Sequence, residues 1–150
     1  MGLDMYLKGK RFLWSYGDDP ERTKAGKALA EAFPETASLE IDEIHAQCAY
    51  WRKANAIHAW FVAHVQNGVD DCGYYEVTRE HLQELLEAVT KVLANPECAA
   101  STLPTQGGFF FGDTSYDEWY IRDLEYTKER IELLLSDAYK AWEFEYHSSW

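Results

Sequence analysis

The chain reads as an α+β protein: a small antiparallel sheet that includes both chain termini, with about four helices. Three observations predict this. Leu3, Met5 and Leu7 alternate with Asp4 and Tyr6, the period-2 pattern of a strand with one buried face. Trp142, Phe144 and Tyr146 alternate in the same way with Glu143, Glu145 and His147, almost to the terminal Trp150. The segments between them carry apolar residues at helical spacing, and helices packed on one face of a terminal-strand sheet make an α+β layer.

The elements follow in order. Asp19 before Pro20 is a cap and first-turn signal, and Pro34 closes that helix. Its apolar face (Ala25, Ala28, Leu29, Ala32, Phe33) is thin, which makes residues 18–34 a candidate mobile flap on a single domain spanning 1–150. Ser38–Asp42 and Gly73–Val77 are two shorter strand candidates, the latter rich in β-forming residues. A buried central helix is expected over about 48–67, with Gly68 as its stop. At 100° per residue Trp51, Ala54, Ile57, His58, Phe61, Val62 and Val65 share a side, and the rest is nearly as apolar. Trp60 is expected to point outward, opposite Trp51. Thr78 caps a third helix with the stripe Leu82, Leu85, Leu86, Val89 and Leu93, stopped by Asn95–Pro96. Ser115 with Glu118 forms a capping box for the fourth, whose face runs Tyr120, Leu124, Thr127, Ile131, Leu134 and Ala138.

Charge bounds the partners. The formal balance is -12, yet residues 1–27 carry an excess of cations and the acidity lies beyond them. A body that negative repels nucleic acid, whose binding needs Lys and Arg to displace counterions. No apolar run reaches the ~20 residues of a bilayer span, and the N-terminus has no secretory apolar region. Cys48, Cys72 and Cys98 are an odd set without C-x-x-C spacing, as expected of free thiols in a cytoplasm. His58 and His64 point about 120° apart on a helix and cannot share an ion, and His45 and Cys48 lack companions. Asp70-Asp71-Cys72 could help bind a divalent cation, but Gly68–Gly73 reads more simply as a turn, and no cofactor motif appears.

Candidate site residues cluster in two places. Arg52 and Lys53 near a positive helix end suggest an anion site, with Tyr50 and Trp51 to stack on a flat ring. The alternative is that both cations pair with surplus carboxylates. Asn55 and His58 either line the same pocket, His58 then being a catalytic acid or base with Asp70, Asp71 or Asp117 as partner, or serve as satisfied core groups. The second place is the Asn95–Asp113 connection. There Gln106, Phe109, Phe110 and Phe111, hinged by glycines, form a lid, a core plug or a partner contact.

The segments MGLDMYL, YWRKANAIHAWF, NGVDDC, LPTQGGFFFGDTSYDEWY and the final SSW resemble a family of small proteins carried by bacteriophages and prophages. The resemblance covers both ends and the centre; residues 14–46 match less clearly, and GGFFFG departs from the expected form. It implies a context, a protein made in the cytoplasm of an infected bacterium, and no established activity. With the site residues, it gives the expectation of an accessory protein that binds a small anionic, nucleotide-derived ligand and sequesters a host defence signal. The alternatives are an enzyme acting on such a ligand through His58, and an interaction module, or homo-oligomer, using Trp60 and the acidic face.

Overall fold

The computed structural model describes residues 2–14, 16–17 and 19–150. Its centre is a four-stranded antiparallel sheet in the order β2-β1-β4-β3. The strands are β1 (Asp4–Phe12), β2 (Glu43–Arg52), β3 (Tyr75–Val77) and β4 (Glu143–Ser149). The alternating strands at the two ends of the chain thus lie side by side, Met5 opposite Ser148 and Leu7 opposite Tyr146. Five α-helices complete the fold: α1 (Pro20–Ala32), α2 (Asn55–His64), α3 (Arg79–Ala94), the single turn α4 (Ala99–Thr102) and α5 (Glu118–Leu135).

Alternation separates the two faces of the sheet. Leu3, Met5, Leu7, Ala49, Trp51, Val77, Phe144 and Tyr146 join the buried core, together with Ile57 and Phe61 of α2, Leu82, Leu85 and Val89 of α3, and Leu124 and Ile131 of α5. Gly9 belongs to this face because a Cβ there would lie 2.7 Å from Cys48 Sγ and 3.1 Å from the Trp142 ring. The opposite face carries an aromatic row across β2, β1 and β4 that ends on Tyr74, the residue before β3. Tyr50 neighbours Tyr6 at 5.3 Å, Tyr6 stacks on His147 at 4.7 Å, and His147 meets Tyr74 at 4.4 Å. These rings face one another, so the row is a cross-strand ladder that ties the sheet together. Partial burial in it lowers the His147 pKa and keeps that ring neutral.

Helix α5 lies along the free edge of β2. Arg130 Nε donates to the Cys48 carbonyl at 2.8 Å, and the Tyr50 amide donates to Tyr126 Oη at 3.2 Å. An edge strand otherwise offers unpaired backbone groups.

Several expectations are corrected. The central helix does not span 48–67. Cys48–Arg52 are the end of β2, where Ala49 and Trp51 face inward and Tyr50 and Arg52 outward; paired with β1, these residues satisfy a period of two as well as one of 3.6. Only Asn55–His64 is helical, and Gly68 closes it by donating its amide to the Val62 carbonyl at 2.8 Å. Ser38–Asp42 is not a strand: the β1–β2 ladder ends at Phe12 opposite Glu43, and beyond it the Leu13 amide donates to the Asp42 carbonyl at 2.8 Å. The cap of α5 is Asp117, whose carboxylate accepts the amides of Trp119 and Tyr120, while Ser115 bonds Asp113 instead. Ala138 falls beyond the end of α5, in a short 3-10 turn. Trp60 is 6% exposed, stacked on His64 and edge-on to Phe61, so it is core and presents no outward surface. The Asn95–Asp113 connection is partly helical, holding a 3-10 turn at Pro96–Cys98 and then α4.

Helix α1 forms where its Asp19 cap and Pro20 predict, yet it buries none of its residues. Arg22 fastens it to the following segment through the Ile41 carbonyl and Glu40. Asp18, the first residue of the expected flap, lies outside the described residues. No helix among the described residues is long and apolar enough to cross a membrane.

Candidate functional site

The turn from β2 into α2 is made by Lys53 at φ 59°, a backbone region few side chains adopt. Its amide donates to the Leu3 carbonyl at 2.8 Å, which locks the turn to the start of β1. Helix α2 then begins without a side-chain cap. The first-turn amides of Ala56 and Ile57 have no protein partner among the described residues, leaving the positive end of the helix open.

This end forms one wall of a cavity of about 410 Å³. Arg52 and Lys53 flank it, both exposed, and neither is in an ion pair among the described residues. The alternative of pairing with surplus carboxylates is therefore not what the structure holds. Gly112, at φ 85°, lets the following loop lie against Lys53: a Cβ there would come within 3.1 Å of the lysine stem.

The loop and α5 supply the acidic part of the lining. Asp113 accepts the amide and hydroxyl of Ser115, which hold its carboxyl below the usual range, so it stays ionised. Asp117 is occupied by capping α5. Asp123 differs. Burial, reinforced by the nearby Asp117 charge, pushes its pKa up to about 6, and its carboxyl makes no hydrogen bond among the described residues. Trp119, 62% exposed, stands at the entrance with the Arg122 guanidinium 4.9 Å from its ring.

The raised Asp123 pKa has a consequence for stability. The folded state holds this proton more tightly than the unfolded chain, so its contribution falls as pH rises from about 4 to about 6 and is constant above that. Asp123→Asn is expected to stabilise the protein by about 1–2 kcal/mol at pH 7, discounted for partial exposure, and by nothing near pH 4. Urea denaturation of both proteins across this range measures it; a gain independent of pH would assign the effect to packing.

Asn55 holds the loop wall in place. It is 4% exposed, and its Nδ2 donates to the carbonyls of Phe111 at 3.0 Å and Asp113 at 2.8 Å. Its Oδ1 accepts the Gln106 amide at 2.9 Å. One side chain thus closes a loop eight residues long at three points.

Comparison with known protein families, curated proteins and solved structures finds no match. The residues and their geometry therefore carry the functional reading.

Of the residues expected to form the site, the structure brings Arg52, Lys53 and Asn55 together in the cavity. Trp51 is 2% exposed and donates from Nε1 to Thr127 Oγ1 at 2.8 Å, so its ring has no free face for a ligand. Tyr50 does not line the cavity and is bonded to Asp4 in the aromatic row. Gln106 contributes its backbone. The three phenylalanines have three fates: Phe109 is 96% exposed, Phe110 is half-buried, and Phe111 is core, edge-on to His58.

His58 does not line the cavity. It is fully buried, with Nε2 3.0 Å from Asp70 Oδ2 and Nδ1 2.7 Å from Tyr146 Oη. A carboxylate only accepts, so the Asp70 contact is an Nε2–H donation, while Nδ1 is bonded to the Tyr146 hydroxyl. Burial, then the Asp70 charge, raises the Tyr146 pKa and keeps that proton in place. Trp150 Nε1 donates to the other Asp70 oxygen at 3.1 Å, so the network fastens the C-terminus and the turn after α2 to the core. Of the three carboxylates expected as partners for His58, Asp70 is the one in reach.

Asp123 and Trp119 line the cavity although their place in the sequence does not single them out. One signal exists for Asp123: it lies three residues after Tyr120 and four before Thr127, on the edge of a buried stripe where a carboxylate has no ordinary reason to be.

Proposed function

We propose that this cavity binds a small anionic, nucleotide-derived ligand. The observation that carries the reading is the placement of two unpaired cations, Arg52 and Lys53, at the uncapped start of α2 in a protein of net charge -12. In such a protein an unpaired, adjacent cation pair supplies a local anion site. The cavity volume falls within the range of small-molecule sites, and the exposed ring of Trp119 at its mouth offers a stacking face for a base. The resemblance to small bacteriophage proteins supports a role in sequestering a host defence signal; a ligand that came back intact from the denatured complex would accord with sequestration and a cleaved one with an enzyme.

The test is calorimetric titration with nucleoside monophosphates, cyclic dinucleotides and ADP-ribose, preceded by a thermal-shift screen. The double variant Arg52→Ala, Lys53→Ala is expected to lose at least about tenfold in affinity, equivalent to about 1.4 kcal/mol. Both side chains are exposed, so the melting temperature should hardly change. Affinity unchanged in the double variant would remove the cations from the site.

A further inference from the structure

The carboxylates in the cavity lining are not equivalent, and the difference narrows the class of ligand. Asp113 and Asp117 are already used, one by Ser115 and the other by the amides that open α5. Asp123 lines the same cavity with a half-buried carboxyl that has no partner among the described residues. Its backbone is fixed: the Thr127 hydroxyl donates to the Asp123 carbonyl at 2.6 Å and in turn accepts from Trp51, so the residue is set on rigid core. A partly desolvated carboxylate in the same cavity as two cations repels a bare anion and welcomes a hydrogen-bond donor.

We infer that Asp123 is the specificity-determining residue of the cavity, accepting a hydrogen bond from an amino or hydroxyl group of the ligand. This rests on the anion-binding reading above and adds to it. The ligand has an anionic group at the Arg52 and Lys53 end and donors at the other. A nucleoside monophosphate, with ribose hydroxyls and an exocyclic amine, belongs to that class; pyrophosphate does not. The charged groups that line the cavity with Asp123 are Asp117 from the start of its own helix, Asp113 from the loop, and Arg52 and Lys53 from the β2–α2 turn.

The experiment titrates the intact protein and Asp123→Ala at pH 8 with the four nucleoside monophosphates and with pyrophosphate as the donor-free anion. The parent is expected to bind at least one nucleotide at least tenfold more tightly than pyrophosphate. Asp123→Ala should lose fivefold or more for that nucleotide, while pyrophosphate binds as before or more tightly. If the alanine variant tightens both ligands equally, Asp123 only repels anions, and this inference falls while the anion site stands. It falls in the same way if the parent prefers pyrophosphate. If neither binds the parent at millimolar concentration, both readings fall. Should the alanine variant fail to fold, Asp123→Leu keeps the branched side-chain shape without an acceptor, and the same shift in the nucleotide-to-pyrophosphate ratio is required of it.

Discussion

Trp51→Ala is expected to destabilise the protein by about 3–5 kcal/mol, the range for deleting a large buried aromatic. The ring is 2% exposed, 6.0 Å from Phe61 of α2 and 6.0 Å, edge to face, from Tyr126 of α5. Its indole N–H is bonded to Thr127. A single side chain thus joins β2, α2 and α5, and its removal leaves a void that rigid neighbours cannot fill. Urea denaturation measures the loss. Trp51→Phe should restore most of it, leaving a deficit of about 1 kcal/mol for the missing hydrogen bond. A loss below about 1 kcal/mol for the alanine variant would mean that the ring is not core, and the ligand-stacking role would return to it.

Asn55→Ala is the second large effect. It strips partners from the Phe111 and Asp113 carbonyls and the Gln106 amide together, and an orphaned buried polar group costs about 1–3 kcal/mol. With some rescue by water, about 3 kcal/mol is expected overall. The local effect should be larger than the global one. Native-state hydrogen exchange of the Gln106 amide should accelerate by at least about tenfold relative to amides of α5, since local opening has its own free energy. Ligand affinity should fall as well, because Asp113 and Gly112 of the cavity wall are released. Gln106 protection that tracks α5 unchanged would show the loop to be held by other contacts. Asn55→Asp should do no better than alanine: its carboxylate could still accept from Gln106 but would face two carbonyls.

The fold is legible in the sequence where a segment has one buried face and one wet one. Leu3–Met5–Leu7 and Phe144–Tyr146 alternate cleanly, and the stripes of α3 and α5 repeat for several turns, so period alone assigns them. Period fails at 48–52, where inward Ala49 and Trp51, a bulged Cys48 and an outward tyrosine make a strand almost as apolar as the helix that follows. A run without a polar face gives no phase, and the left-handed Lys53 that separates the two elements has no sequence signature. Trp60 goes astray with them, because its expected direction depends on a helix that starts seven residues too early.

The site is legible in part for a related reason. Charge at a helix start is visible in the sequence, which is why Arg52 and Lys53 stand out, and Asn55 stands out as a polar residue at the edge of an apolar face. Asp123 arrives from a helix some 70 residues downstream, and only tertiary packing brings it into the same cavity. His58 and Asp70 are a plausible pair for chemistry from their residue types alone; the structure keeps the pair and buries the imidazole. Distance along the chain hides one residue, and burial changes the meaning of another.

The sealing of β2 by α5 bears on how copies of this chain meet. Arg130 and Tyr126 engage the backbone of the one long outer strand. The other margin of the sheet is β3, only three residues long. The stretch of β2 that α5 latches and the short β3 thus leave little runway for a second chain to extend the sheet there by backbone pairing, the usual first step of strand-mediated aggregation. Arg130→Ala and Tyr126→Phe would unlatch that margin together. Their first symptom should then be loss of solubility at high concentration.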